Sequence, residues 1–226
     1  MSAPETTAGP GRPKSREKRE QIIAAAQQLF LESGFEATSV DSVAALAGVS
    51  KATVYSHFDG KLGLFSAVVA ARSDSSIDRL KESCRATENP RADLIQFAMN
   101  LSRVVLTPEH RPWDRLVIAE ADRHPELARE LFEAGPKLVH EQVAICIATH
   151  VGAGRLTADD PSAAAETLIG LVLGFEYVRS LMASQPRRDD AFMRRRAEDV
   201  VDLFLARHGA PRGVDPHTAS EPGETR

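Results

Sequence analysis

The stretch Thr38–Phe58 constrains the fold more than any other part of the chain. Thr38-Ser39-Val40-Asp41 sets a hydroxyl at a helix N-cap and a carboxylate three residues later, the pattern of a capping box. It opens a short helix expected to bury Val40, Val43, Ala44 and Ala47. The connector Ala47-Gly48-Val49-Ser50 leaves room only for a tight turn, and Gly48 supplies the backbone freedom the turn needs. Ser50 then caps a second short helix, Lys51–Phe58. Ala44 is small where the two helices cross, and Val49 and Val54 fill the space between them. Two short helices joined by a small-residue turn containing Gly form a helix-turn-helix.

The remaining chain reads as helix throughout. Arg16–Ser33 carries Ile22, Ala26 and Leu29/Phe30 at helical spacing and is closed by Gly34. After Asp59-Gly60 a long helix spans Lys61–Cys84. Further helices are expected at Arg91–Leu106, Trp113–Arg123, Glu126–Ala134, Lys137–Val151, Ser162–Ser184 and Asp189–His208. Proline or glycine marks the breaks at Pro90, Pro108, Pro125, Gly135-Pro136, Gly152-Ala153-Gly154, Pro161 and Pro186. Aromatic residues are only 5% and no segment alternates as a strand does, so the fold class is all-α. Four segments follow: a flexible basic arm (1–15), a three-helix head (16–60), a larger helical domain (61–208) and a disordered tail (209–226).

Charge is distributed unevenly. The net charge is −4, yet Arg12 to Arg19 holds five basic residues and one acidic residue. A basic head on a neutral-to-acidic body suits local contact with phosphates. Cys84 and Cys146 are too few for a disulfide framework and lack metal-ligand spacing. The longest apolar run, Leu168–Phe175, is too short to span a bilayer, and residues 1–11 are unlike a signal peptide. The expected compartment is the cytoplasm, with no membrane partner. Catalytic motifs are not found: Ala144 stands where a zinc protease motif beginning at His140-Glu141 needs its second His. No enzyme activity, cofactor or metal is expected.

Arg16–Phe65 resembles the N-terminal DNA-binding domain of TetR-type transcriptional regulators. The resemblance rests on Ile22-Ile23-Ala24-Ala25-Ala26, Leu29-Phe30, Gly34-Phe35, Thr38-Ser39-Val40, Ala47-Gly48-Val49-Ser50-Lys51, Val54-Tyr55, His57-Phe58, Lys61 and Leu64-Phe65. Leu62-Gly63 departs from the family pattern, which more often has Glu and a second polar residue there. Farther on, Arg115–Ala121, Pro125-Glu126-Leu127-Ala128 and Glu133–Pro136 resemble the AefR-like subgroup.

The resemblance implies a repressor that binds a palindromic operator in double-stranded DNA as a homodimer and is released by a small apolar or amphipathic effector. Lys51–Phe58 would enter the major groove. Ser50, Lys51 and Thr53 stand near its start, within reach of bases or phosphates. Tyr55 and His57 would bond phosphates, as would Thr38 and Lys61 from flanking helix starts. Arg12 and Lys14 would reach the minor groove. The dimer is expected to form through the last two helices, at Leu168, Leu171, Gly174, Val201, Phe204 and Leu205. Expected pocket residues are Phe97, Leu101, Trp113, Val117, Phe132, His140 and Phe175. Lys61–Cys84 would couple pocket to head. The competing readings are a non-specific architectural DNA binder, a regulator sensing redox state through Cys84 or Cys146, and a helical enzyme.

Overall fold

The computed structural model describes residues 12–83, 86–108, 110–182 and 189–210. Within them the chain forms ten helices: α1 (Arg12–Ala37), α2 (Val40–Leu46), α3 (Lys51–His57), α4 (Gly60–Ser83), α5 (Pro90–Val105), α6 (Arg111–Glu120), α7 (Pro125–Ala134), α8 (Pro136–Gly152), α9 (Pro161–Met182) and α10 (Asp190–His208). The fold is all-α. Residues 12–15, expected in the arm, are helical backbone at the start of α1. The side chains of Arg12, Lys14 and Ile77 lie outside the described residues, as do residues 1–11, Cys84 and residues 211–226.

Local chemistry sets the helix ends. Proline stands at the first or second position of α5, α6, α7 and α8, where its missing N–H costs nothing. The Asn89 side chain accepts from Ala92 N at 3.1 Å, and Asp189 accepts from Phe192 N at 2.7 Å. The capping box before α2 falls one residue later than expected. Ser39 is the N-cap, and Ser42, not Asp41, closes the box. Thr38 instead donates its hydroxyl to Gly34 O at 2.7 Å and is buried. That bond helps hold the chain where Gly34, at φ +83°, interrupts α1.

Apolar side chains gather into two cores. The first joins α1–α4 through Ile22, Phe30, Phe35, Val43, Val54 and Phe65. Its aromatic centre has ring centroids 5.6–5.7 Å apart among Phe30, Phe35 and Phe65, and Trp113 of α6 adds a fourth ring 6.0 Å from Phe65. Val117 of α6 and Leu127 of α7 belong to this same core. The boundary of the apolar packing therefore does not follow the chain boundary at Gly60. The second core joins α5, α8, α9 and α10 with Leu80 of α4.

Three residues expected at a dimer interface are interior here. Leu168, Val201 and Phe204 are buried in the second core, and Leu171 and Leu205 pack against it half-buried. Gly174 also has a reason within the chain. It interrupts α9 at φ +42°, a conformation L side chains resist. Arg196 of α10 donates to Leu171 O at 3.2 Å and Val172 O at 3.3 Å, satisfying carbonyls beside the break. A Cβ on Gly174 would meet that guanidinium at 2.9 Å.

Candidate nucleic-acid interface and the cavity behind it

Helices α2 and α3 pack together across a turn in which Gly48 has φ +65° and Val49 N donates to Ala44 O at 3.0 Å. Val54 anchors α3 by full burial, which turns Lys51, Ala52, Tyr55 and Ser56 outward. The start of α3 is well ordered by its own side chains. Ser50 Oγ accepts from Thr53 N at 3.1 Å and lies 2.8 Å from Thr53 Oγ1. Lys51 Nζ donates to Asp41 Oδ2 at 3.0 Å, a bond that raises the Lys51 pKa above its ordinary value. Tyr55 is 54% exposed with its phenol on the outer face. His57 is half-buried beside Phe58. Ala52, unremarked in the sequence, places a methyl between Lys51 and Thr53 on the open side.

One expected contact needs correction, and a second residue has partners within the chain. Thr38 is buried and spent on Gly34 O, so the exposed hydroxyl at the start of α2 is that of Ser39, with Ser42 half-buried beside it. Lys61, half-buried, bonds the chain's own backbone. Its Nζ donates to Phe35 O at 3.0 Å and Glu36 O at 3.2 Å and stands 4.4 Å from the Phe35 ring centroid. The ammonium thus closes the C-terminal end of α1, where carbonyls lack helical partners. Spacing alone could not distinguish that role from a phosphate contact.

Helix α4 starts at Gly60, three residues after α3 ends, and forms one wall of a cavity of about 590 Å³. Val69, Arg72 and Leu80 of α4 face it together with Leu101, Val105, Trp113, Leu131, Val139, Ile169 and Leu173. The walls are mostly apolar and come from both cores. One region is polar. Tyr177 donates its hydroxyl to Asp114 Oδ2 at 3.1 Å, and His110 Nε2 stands 3.4 Å from Asp114 Oδ1. The Arg72 guanidinium lies 4.9 Å from the Trp113 ring centroid. Burial raises the Asp114 carboxyl above its ordinary range and lowers His110. Burial, with the Asp114 charge behind it, pushes Tyr177 up to about 12.

Of the expected pocket residues, Leu101 and Trp113 line this cavity. Phe97 is buried in the second core and Val117 in the first. Phe132 and Phe175 point to the exterior, and His140 bonds Ser162 O at 3.1 Å. Aromatic character did not reveal which helix face turned inward. The polar cluster was missed because Asp114 and Tyr177 are far apart in the chain and carry no shared motif.

Exposed apolar residues do form a stripe on α9: Phe175, Val178 and Met182, spaced three and four apart, with Phe175 69% and Met182 82% exposed. Leu203 of α10 is exposed as well. No helix among the described residues is long and apolar enough to cross a membrane.

Known families match both parts of the chain. A model described as bacterial regulatory proteins of the tetR family matches residues 22–68. A model described as the AefR-like transcriptional repressor C-terminal domain matches residues 92–210, more than half the chain. The chain belongs to the TetR family. This TetR-family regulator is 32% identical to the DNA-binding transcriptional repressor TetR of Mycobacteroides abscessus over 191 residues, 84% of this chain and 94% of that protein. It is 36% identical to the transcriptional activator FasR of Mycolicibacterium smegmatis over 78 residues, 34% of this chain and 36% of that one. Its matches to FasR and to several other curated relatives span about a third to a half of their lengths. Among solved structures, a TetR-family regulator from Mesorhizobium loti superposes with a TM-score of 0.78 at 32% identity, covering 88% of this chain and all of that one. The flavonoid-responsive regulator FrrA gives 0.74 at 31% identity, covering 86% and 98%. These families are DNA-binding transcriptional regulators rather than enzymes.

Proposed function

We propose that this TetR-family regulator is a cytoplasmic repressor that binds a palindromic operator as a homodimer and lets go when a small amphipathic molecule fills its cavity. One observation carries the reading: α4 begins three residues after the recognition helix and ends as a cavity wall. A ligand pressing on Val69, Arg72 or Leu80 displaces the same rod that carries the head. Coupling of this kind is typically ~1–3 kcal/mol, about 5–150-fold in affinity.

The outer face of α3 supplies the DNA contacts. Lys51, Ala52 and Thr53 address base edges, and Tyr55 and His57 address phosphates. One head offers too few contacts for firm binding, so two copies read half-sites related by a dyad. The exposed α9 stripe of Phe175, Val178 and Met182 supports a second copy as its cover. The cavity chemistry supports an effector with an apolar or aromatic body and a hydrogen-bonding group. Such a molecule would meet Trp113 and Leu173 on one side and Asp114, Tyr177 and Arg72 on the other. That FrrA is named for its response to flavonoids, which are hydroxylated aromatics, agrees with this class.

Selection of bound sequences from random duplexes tests the reading. An inverted repeat bound by two chains is expected. Recovery of sequences without a dyad, or binding by single chains, defeats it.

A further inference from the structure

The turn between α6 and α7 meets the end of α1 through His124. Its ring lies edge-on to Phe35, with centroids 5.1 Å apart. Nδ1 stands 3.1 Å from Glu126 Oε1, and Nε2 meets Glu36 Oε1. Glu120, the last residue of α6, brings a third carboxylate. One donor atom from each of Glu36, Glu120 and His124 falls within 4.8 Å of the other two. Glu120 Oε2 is sealed from solvent and has no hydrogen-bond partner.

Electrostatics asks for a positive centre here. If Nδ1–H donates to Glu126, the lone pair of Nε2 confronts the Glu36 carboxylate. A proton between those two atoms relieves that pair alone and leaves the buried Glu120 oxygen without a partner. A cation reaches all three. We propose that Glu36, Glu120 and His124 bind one divalent transition-metal ion of the zinc class, with Glu126 as a positioning residue that orients the imidazole. An imidazole nitrogen among the donors favours zinc-like ions over magnesium or calcium, which take oxygen alone. A carboxylate on the far nitrogen of a ligating His fixes the ring and strengthens it as a donor. The ion ties the end of α1 to the end of α6 beside the carbonyls that Lys61 caps.

The test uses the full chain, stripped with a chelator and titrated with Zn²⁺ against a chromophoric competitor. The expected result is one saturable site per chain that Mg²⁺ does not contest. Glu120→Gln and His124→Gln should each weaken it about tenfold or more, and Glu126→Gln about tenfold. Glu36→Gln alters a side chain that is more than half exposed, so it gives the same reading should the variants at the half-buried Glu120 and His124 fail to fold. Absence of stoichiometric binding, equal affinity in Glu36→Gln, or equal competition by Mg²⁺ overturns the proposal. The readout is bound metal, so it succeeds or fails independently of operator binding.

Discussion

Lys61 holds its ammonium 3.0 Å from the carbonyl oxygen of Phe35, joining the start of α4 to the end of α1. Lys61→Ala should cost about 1–2 kcal/mol, the range for a partly exposed charged hydrogen bond, or roughly 2–8 °C in melting temperature. The salt dependence of DNA binding should stay unchanged. A slope lowered by one ion, with an unaltered melt, would return Lys61 to the phosphate backbone.

Asp41 occupies Lys51 at the start of α3. Asp41→Asn releases that ammonium and removes a negative charge from the face proposed to meet DNA. Exposed pairs are worth ~0.2–1 kcal/mol, so binding should tighten by about two- to fivefold at low salt. Fluorescence anisotropy with labelled duplex measures it; weaker binding contradicts the assignment.

Trp113 is the single tryptophan of the chain and lines the cavity. Any compound that releases the operator through this cavity should shift or quench its emission over the same concentration range. Leu173→Trp narrows the space and should abolish release while leaving operator binding intact. Release without a change in Trp113 emission in the wild-type chain places the effector elsewhere.

His150 is fully buried, with Nε2 3.1 Å from Asp93 Oδ2 and Nδ1 without a hydrogen-bond partner. Burial lowers its pKa from the ordinary 6.5. The folded protein therefore binds fewer protons here than the unfolded chain does. Its contribution is intact above about pH 6.5 and is lost as pH falls from there toward the lowered folded value. Denaturant midpoints between pH 7.5 and 5, taken at about half-unit steps, should show this decline, and His150→Gln should flatten it. An identical decline in the variant removes His150 as the cause.

Phe175 opens the exposed α9 stripe that continues through Val178 and Met182. Phe175→Asp should produce single chains in sedimentation while the melt stays within about 0.5 kcal/mol, as for a surface change. Operator affinity should fall with it. An undisturbed dimer would move the interface to another face.

The helices were legible because their ends are written locally. Pro90, Pro125 and Pro136 open helices, and Gly34 and Gly48 take the positive φ expected of them. Where two neighbouring residues could serve one cap, as Thr38 and Ser39 could, local reading erred by one position, and the error moved a hydroxyl from surface to interior. Long-range pairs carry no such signature. Neither the meeting of Lys61 with Phe35 nor that of Asp114 with Tyr177 follows from spacing, because each depends on how helices cross. The same limit misplaced Phe97, Phe132 and Phe175, whose directions are settled only by neighbours distant in the chain.

Trp113, Val117 and Leu127 share their packing with Phe30 and Phe65. Hybrid regulators are commonly imagined as one protein's reading head grafted onto another's sensing body at a single cut. In this chain such a graft at residue 60 would leave the donor head missing part of its own interior. A chimera that keeps this interior whole carries α4, α6 and α7 along with the head, three helices that the order of the sequence assigns to the opposite partner.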